Sequence, residues 1–232
     1  PAHNPPYIAA MKAFREKLPN VPQVAAFETA FHQTIPAARQ IYAIPHEWTE
    51  NLGIRRYGFH GASHRYIATR VPEIVGRENA RRIISCHLGG SCSLWAIANG
   101  KSVANSFGMT AQSGRPQNNR VGDFDTFAML KLLKHFSLDD IFKKLAKEGG
   151  MLGMSGVSND MRDIEKAAAA GHPRATLALG TVCAKQKDYA GARQWFEKAA
   201  ALGESDAMLA LGSLYCQGGY GVPQDYKEAR RW

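Results

Sequence analysis

The 232-residue sequence contains no apolar run approaching the roughly 18 residues that a membrane-crossing helix needs. A helical span is therefore not expected, and neither is a membrane partner. The opening Pro1-Ala2-His3-Asn4 has no basic stretch leading into an apolar one, so no secretory signal is read there. It also lacks a starting methionine, and the true N-terminus is expected upstream. Cysteine is scarce, and Cys86, Cys92, Cys183 and Cys216 include no CxxC pair or metal-ligand spacing. Reduced thiols in a cytoplasmic protein are the economical reading. Acidic residues are short as well. The net charge is +9, with 21 basic against 14 acidic residues up to position 171 and 8 against 6 beyond it. That excess suits an anionic small ligand such as a nucleotide or phosphate ester. It forms no stripe and carries no aromatic RNA-binding motif, so nucleic acid is not an expected partner.

What is present divides near Gly171-His172-Pro173. The hydrophobic fraction of 45% is enough for a true core. Before the division, short β-like runs alternate with helical ones. Residues 22–31 and 54–59 read as strands, and Ser63 as the N-cap of a helix running to about Val75. Ile83 to Cys86 is an apolar strand leading into the turn Leu88-Gly89-Gly90-Ser91. A second strand, Ser93 to Ala98, meets Asn99-Gly100, the strongest short hairpin signal, and a third runs from Lys101 to Asn105. Helices are expected over 123–136 and 139–148. The fold class is α/β: a sheet beginning near residue 81, then helices.

Beyond residue 171 the chain reads as helix throughout, with an internal repeat. Ala175-x4-Gly180 recurs as Ala207-x4-Gly212, and Asp188-Tyr189-x2-Ala192-x2-Trp195 recurs as Asp225-Tyr226-x2-Ala229-x2-Trp232. Small residues at Ala and Gly let paired helices approach closely. The phrase Gly221-Val222-Pro223-Gln224-Asp225-Tyr226 resembles the Sel-like subclass of tetratricopeptide-type repeats, implying an all-α tail over 172–232 with one complete and one truncated repeat. An ordinary pair of Ala-rich helices is the plainer alternative.

Several residues could carry chemistry. The Gly89-Gly90-Ser91 turn either offers backbone N–H groups to a phosphate or is only a hairpin. His60 and His64, four apart, suggest a metal pair only if they share a helical face; the Gly58-Phe59-His60-Gly61 junction argues against that. Arg120 precedes a helix, where it reaches an anion or merely solvates a loop. His3 and His32 read equally well as structural histidines.

Taken together, in this order and spacing, several segments of residues 1–171 resemble the acetate kinase family. They are His3-Asn4-Pro5, Phe27 to Thr34, Arg55 to His64, His87-Leu88-Gly89, Gly100 to Val103, and Arg120 with Gly122-Asp123. The resemblance implies a partial actin-like, sugar-kinase (ribonuclease-H-like) domain that transfers phosphate between ATP and a short carboxylate such as acetate or propionate. It implies His60, Arg120 and Glu28 as catalytic, with Glu28 near Mg²⁺. His87, Leu88, Gly89, Gly90 and Ser91 would hold the ATP phosphates. Ala2, His3, Asn4, Phe59 and Ala111 would line the carboxylate side. A homodimer, and a protein partner for the repeats, are further expectations.

The sequence also departs from the family. Glu28 stands where the family has Asp, and the phosphate turn reads Gly-Gly-Ser-Cys. Two hydroxyls are lost around Asn119-Arg120-Val121-Gly122-Asp123, and Ala2 and Ala111 replace larger apolar residues, implying room for an acid longer than acetate. The family's first Gly/Ser-rich loop, carboxylate-facing Arg and adenosine-binding segment have no counterpart in the chain. The isolated chain is accordingly expected to bind ATP weakly. An interaction scaffold or an inactive chimeric fragment are the alternative readings.

Overall fold

The computed structural model describes residues 4–219 and 221–232. Ala2 and His3, expected on the carboxylate side, lie outside them. The fold mixes many helices with one small sheet. Helices α1 (Asn4–Lys17), α2 (Ala37–Gln40), α3 (His46–Leu52) and α4 (Gly61–Val75) come first. Strands β1 (Arg82–Leu88), β2 (Cys92–Ala98) and β3 (Lys101–Asn105) then form an antiparallel sheet in that order. Helices α5 (Met129–Leu132), α6 (Leu138–Lys147), α7 (Gly150–Ser155), α8 (Met161–Ala169), α9 (Pro173–Lys185), α10 (Tyr189–Ala201), α11 (Ser205–Gln217) and α12 (Tyr226–Arg231) complete it.

The hairpin between β2 and β3 turns where expected: Asn99 and Gly100 both take positive φ, 49° and 76°, as a two-residue primed turn requires. The sheet's inner face carries Ser85 and His87 of β1 beside Ser93, Trp95 and Ile97 of β2, with Ser85 paired to Trp95 and His87 to Ser93. Trp95, Ile97, Phe107, Ile35 and Ala68 form the core on this side. The outer face of β1 leaves Ile84 and Leu88 72% and 75% exposed.

Two expected strands do not form. Residues 22–27 have no regular structure and lead into a 3-10 helix at Ala30–Thr34, with Val24 91% exposed. An extended segment becomes a strand only with a neighbour to pair its backbone, and none of the three described strands pairs with this one, although β1 and β3 each keep an open edge. Residues 54–59 are irregular because Gly58 takes φ +80°, turning the chain so that its backbone lies against the Trp95 indole. The helix after it begins at Gly61, earlier than expected, with His60 at its N-cap in the left-handed region (φ 57°). Ser63 is therefore inside the first turn, not the cap, and bonds His87 instead. The expected helix over 123–136 is reduced to a 3-10 turn, Thr126–Ala128, and the four-residue α5. Phe127 and Leu130 there are 80% and 66% exposed, so no tertiary burial supports a longer helix. By contrast, α6 forms as expected, capped by the Ser137 hydroxyl accepting from Asp140 N–H.

In the tail the repeated aspartates are helix caps. Asp188 accepts from Gly191 N–H, and Asp225 from Lys227 and Glu228 N–H. One core joins α10, α11 and Val222. Another joins Ile164 and Ala168 of α8 to Ala175 and Leu179 of α9, so packing is continuous across residue 171. Of the two repeated glycines, Gly180 is the close approach: a Cβ there would lie 2.5 Å from the Phe196 ring, whereas at Gly212 the nearest atom is the Ala229 carbonyl at 3.3 Å. Gly180→Ala should therefore cost about 1–3 kcal/mol through overpacking. Gly212→Ala should be near neutral or gain up to about 1 kcal/mol from helix propensity. Thermal unfolding of the two variants checks this; equal shifts would show that the α9–α10 approach is not tight.

Candidate functional site

The sheet's inner face and the start of α4 bring six imidazole and hydroxyl groups into one cluster. His60 Nδ1 lies 2.8 Å from Ser93 Oγ, and His64 Nε2 lies 2.9 Å from the same oxygen. His64 Nδ1 is 2.8 Å from Ser85 Oγ. His87 Nδ1 is 3.0 Å from Ser63 Oγ, and its ring stacks on His60 with centroids 3.9 Å apart. A polar strip on a buried sheet face is tolerable only when each group finds a partner. Here two strands and one helix supply those partners to each other.

His32 forms an adjoining set. Its Nε2 lies 3.0 Å from the Phe59 carbonyl, its Nδ1 faces Ser102 Oγ at 3.3 Å, and its ring stacks on Trp95. The Trp95 indole N–H donates to the same Ser102 hydroxyl. His32 is thus a satisfied core histidine, one of the two readings its sequence position allowed.

Arg120 reaches the cluster from the loop after β3. Its guanidinium donates to Ser91 Oγ at 3.2 Å, to Gln117 Oε1 at 3.4 Å and to the Ala111 carbonyl at 3.5 Å. That loop is held by Gly122, Gly114 and Gly150, all at positive φ, and by Asp123 Oδ1 accepting from Gly114 N–H at 2.8 Å. In the turn between β1 and β2, neither Gly89 nor Gly90 takes positive φ. Among the described residues, no hydrogen bond within the chain occupies the N–H groups of Gly89, Gly90 or Ser91. The Leu88 side chain just before them is exposed.

The remaining expected residues are placed unequally. A Glu28 carboxylate oxygen accepts from Ala62 N–H at 3.4 Å, at the start of α4, and the Glu28 carbonyl presses on Gly61. Phe59 and Ala111 pack against the Trp95–Phe107 core. Asn4 opens α1, which buries none of its residues, and no described contact joins it to the cluster. Among the described residues no group of three or more His, Cys, Asp or Glu is placed to hold a metal. A single carboxylate at Glu28 still fits Mg²⁺, which takes most of its oxygens from substrate phosphates and water.

Sequence reasoning missed Ser85 and Ser93, read Ser63 only as a helix cap and part of the family motif, and weighed His64 as a metal ligand and as part of that same motif. A signal existed: Ser85-x-His87 and Ser93-x-Trp95 each alternate onto one sheet face. Which helix covers that face was not legible.

Burial, with neighbouring positive charge second, lowers three of these histidines. His60 falls to about 4 through burial, then His87 and Arg120; His64 to about 4 through burial and the imidazoles of His32, His60 and His87. His32 also falls to about 4 through burial, partly offset by its bond to the Phe59 carbonyl. All three are neutral at pH 7. The unfolded chain binds protons near pH 6.5 and the folded chain only near 4, so stability is fully present above about 6.5. It is lost as pH falls from there to about 4, with a slope approaching about 1.4 kcal/mol per unit for each fully buried histidine. Melting temperature measured from pH 7.5 downward should drop steadily below about 6.5; a flat profile to pH 4.5 would mean these rings are not buried neutral.

A family model described as the Acetokinase family matches residues 1–209, and a Sel1 repeat model matches residues 205–232. The chain is 45% identical over 195 residues to the acetate kinase of Geobacillus sp. (strain WCH70), covering 83% of this chain and 49% of that protein. It is 43% identical over 195 residues to the acetate kinase of Bacillus subtilis (strain 168), with the same coverage. Among solved structures, a propionate kinase from Francisella tularensis subsp. tularensis SCHU S4 superposes with TM-score 0.73 and 37% identity, over 81% of this chain and 50% of that one. The acetate kinase of Porphyromonas gingivalis gives TM-score 0.73 and 41% identity, over 87% and 50%. The chain spans about half the length of the relatives it matches.

Proposed function

We propose, from the premise that this chain belongs to the acetokinase family, that its histidine–arginine cluster is the phosphoryl-transfer side of an ATP:carboxylate phosphotransferase. The observation that carries this is the convergence of neutral His60, His87 stacked on it, and Arg120 beside Ser91. A carboxylate oxygen forms a bond to the γ-phosphorus of ATP as the bond to the β-bridging oxygen breaks; ADP leaves, an acyl phosphate forms, and no proton need move. The demand on the protein is to offset charge on the three equatorial oxygens and hold the reactants in line. Arg120 supplies a fixed positive charge. His60 supplies a neutral N–H donor. His87 and the open N–H groups of Gly89, Gly90 and Ser91 would take the nucleotide phosphates. Mg²⁺ accompanying ATP supplies further charge neutralisation there, and Glu28 is the carboxylate of this chain that would approach it. Phe59 and Ala111 line the acceptor side, and the small Ala111 favours propionate or butyrate over acetate in a completed enzyme.

The division at 171, with a partial ribonuclease-H-like segment before it and Sel-like, tetratricopeptide-type helices after it, remains part of this proposal. Recurrence of the Asp188 and Asp225 caps supports it, although the family models meet later, at 205–209. The tail would serve a protein partner, and a homodimer and a cytoplasmic location complete the reading. All four cysteines are free thiols, and no helix among the described residues is long and apolar enough to cross a membrane.

In a full-length enzyme carrying this segment, Arg120→Ala should lower kcat by roughly 10²-fold or more with little change in the KM for ATP. An unchanged kcat would make Arg120 a loop-bracing residue through Ser91, Gln117 and Ala111. The 232-residue chain alone should not turn over, because phosphoryl transfer needs both reactants held in a closed, dry cleft. A hydroxamate assay with MgATP and acetate or propionate checks this. Turnover above roughly 1 s⁻¹, the low end for kinases, would show the chain to be a complete enzyme.

A further inference from the structure

The hydroxyl–imidazole contacts form a single file: Ser85 Oγ, His64, Ser93 Oγ, His60. Every donor in that file must find an acceptor, and the requirement fixes where each proton sits. His64 has no exposed surface and is neutral, so it carries one N–H. Were that proton on Nδ1, it would be donated to Ser85 Oγ, and the Ser85 O–H would need another acceptor. Ser85 is 3% exposed, and among the described residues its hydroxyl has no hydrogen bond other than that to His64. A stranded buried donor suffers its full desolvation penalty, disfavouring that arrangement by about tenfold or more. In the opposite sense nothing is stranded. The Ser85 O–H donates to His64 Nδ1, His64 Nε2–H donates to Ser93 Oγ, and the Ser93 O–H donates to the next nitrogen, His60 Nδ1. His60 Nδ1 is then an acceptor, and its proton is on Nε2.

We infer that Ser85, His64 and Ser93 are positioning residues that hold His60 as the neutral Nε2–H tautomer, with that N–H directed away from Ser93. Among the described residues, no group of the chain hydrogen-bonds to His60 Nε2, while His87 covers the ring face and Arg120 lies near enough to oppose its protonation. A neutral N–H in that place can donate to a phosphoryl oxygen; the other tautomer would turn a lone pair toward the anion. The catalytic value of this donor rests on the acetokinase reading, but the protonation pattern does not.

The adjoining histidine supplies an internal control. His32 Nε2 faces a carbonyl oxygen, which can only accept, so His32 is Nε2–H for an unrelated reason. The exposed His135, whose ring has no hydrogen-bond partner among the described residues, supplies the solvent-averaged reference. The test is two-bond ¹H–¹⁵N correlation on the ¹⁵N-labelled chain at neutral pH, without nucleotide. His60, His64 and His32 should each show an unprotonated Nδ1 and a protonated Nε2. His60 protonated on Nδ1, or averaging like His135, overturns the proposal. Ser93→Ala should move His60 to the His135-like mixture while His32 is unchanged; a His60 unaltered beside an unaltered His32 shows that Ser93 does not set it. If Ser93→Ala loses the His32 signature, Ser93→Thr keeps the hydroxyl and should keep His60 as Nε2–H; a mixed His60 there counts against the file. Because no nucleotide is present, failure of kinase activity in any assay leaves these outcomes untouched, and their failure leaves the family reading untouched.

Discussion

The Ser93 hydroxyl, fully buried between two imidazoles, is the contact around which this structure is arranged. One oxygen on β2 is shared by His60 at the N-cap of α4 and His64 one turn later, so it fixes the start of that helix against the sheet. The price of losing it would be high, since His64, Ser85 and Ser93 are all out of water and their polar atoms have no solvent to fall back on. Neighbouring features follow from the same constraint. Gly58 must be glycine because the chain entering α4 runs against Trp95 at positive φ. Gly61 must be small because the Glu28 carbonyl lies on it. His60 itself takes a left-handed conformation, uncommon for a residue with a Cβ, and its ring lies among those of His64, His87 and Phe107.

What could be read from the sequence was whatever depends on short-range rules. Asn99-Gly100 dictated its turn because few residues accept two consecutive positive φ values. Asp188 and Asp225 announced helices because a carboxylate beside free N–H groups is satisfied by starting one. The failures share a cause of the opposite kind. Val24 to Phe27 has strand-like composition, but composition does not reveal whether a partner strand exists. Phe124 to Phe136 has helical spacing, but its apolar side chains remain largely exposed, and a helix that buries nothing is held only by propensity.

The site divides the same way. His60, His87 and Arg120 were identified by family resemblance, and their convergence depends on a sheet register that pairs His87 with Ser93. The serines were invisible because a serine on a strand usually faces water; only the covering helix turns Ser85 and Ser93 inward. Asn4 illustrates the limit of motif transfer. Its motif is intact, yet it opens a helix that buries none of its own residues, so the motif alone does not deliver the side chain to the cluster.

Preorganisation and environment are separable here. The direction of the His60 donor is set by contacts between residues 60–64, 85 and 93, all within one hairpin and one helix turn, so it needs nothing beyond this segment. Dielectric is different. A hydrogen bond or ion pair gains strength when water is excluded from around it, and exclusion requires surface on every side. On this chain the β1 outer face and the 127–130 region present apolar side chains to solvent, and the segment corresponds to about half of its relatives' length. On the phosphotransferase reading proposed above, this segment would aim the groups that stabilise a moving phosphoryl, while the low-dielectric enclosure that multiplies their effect would have to come from other residues. Correct geometry with a weak field is what such a segment should display on its own: local tautomers and stacking as in an active site, and little of its catalysis.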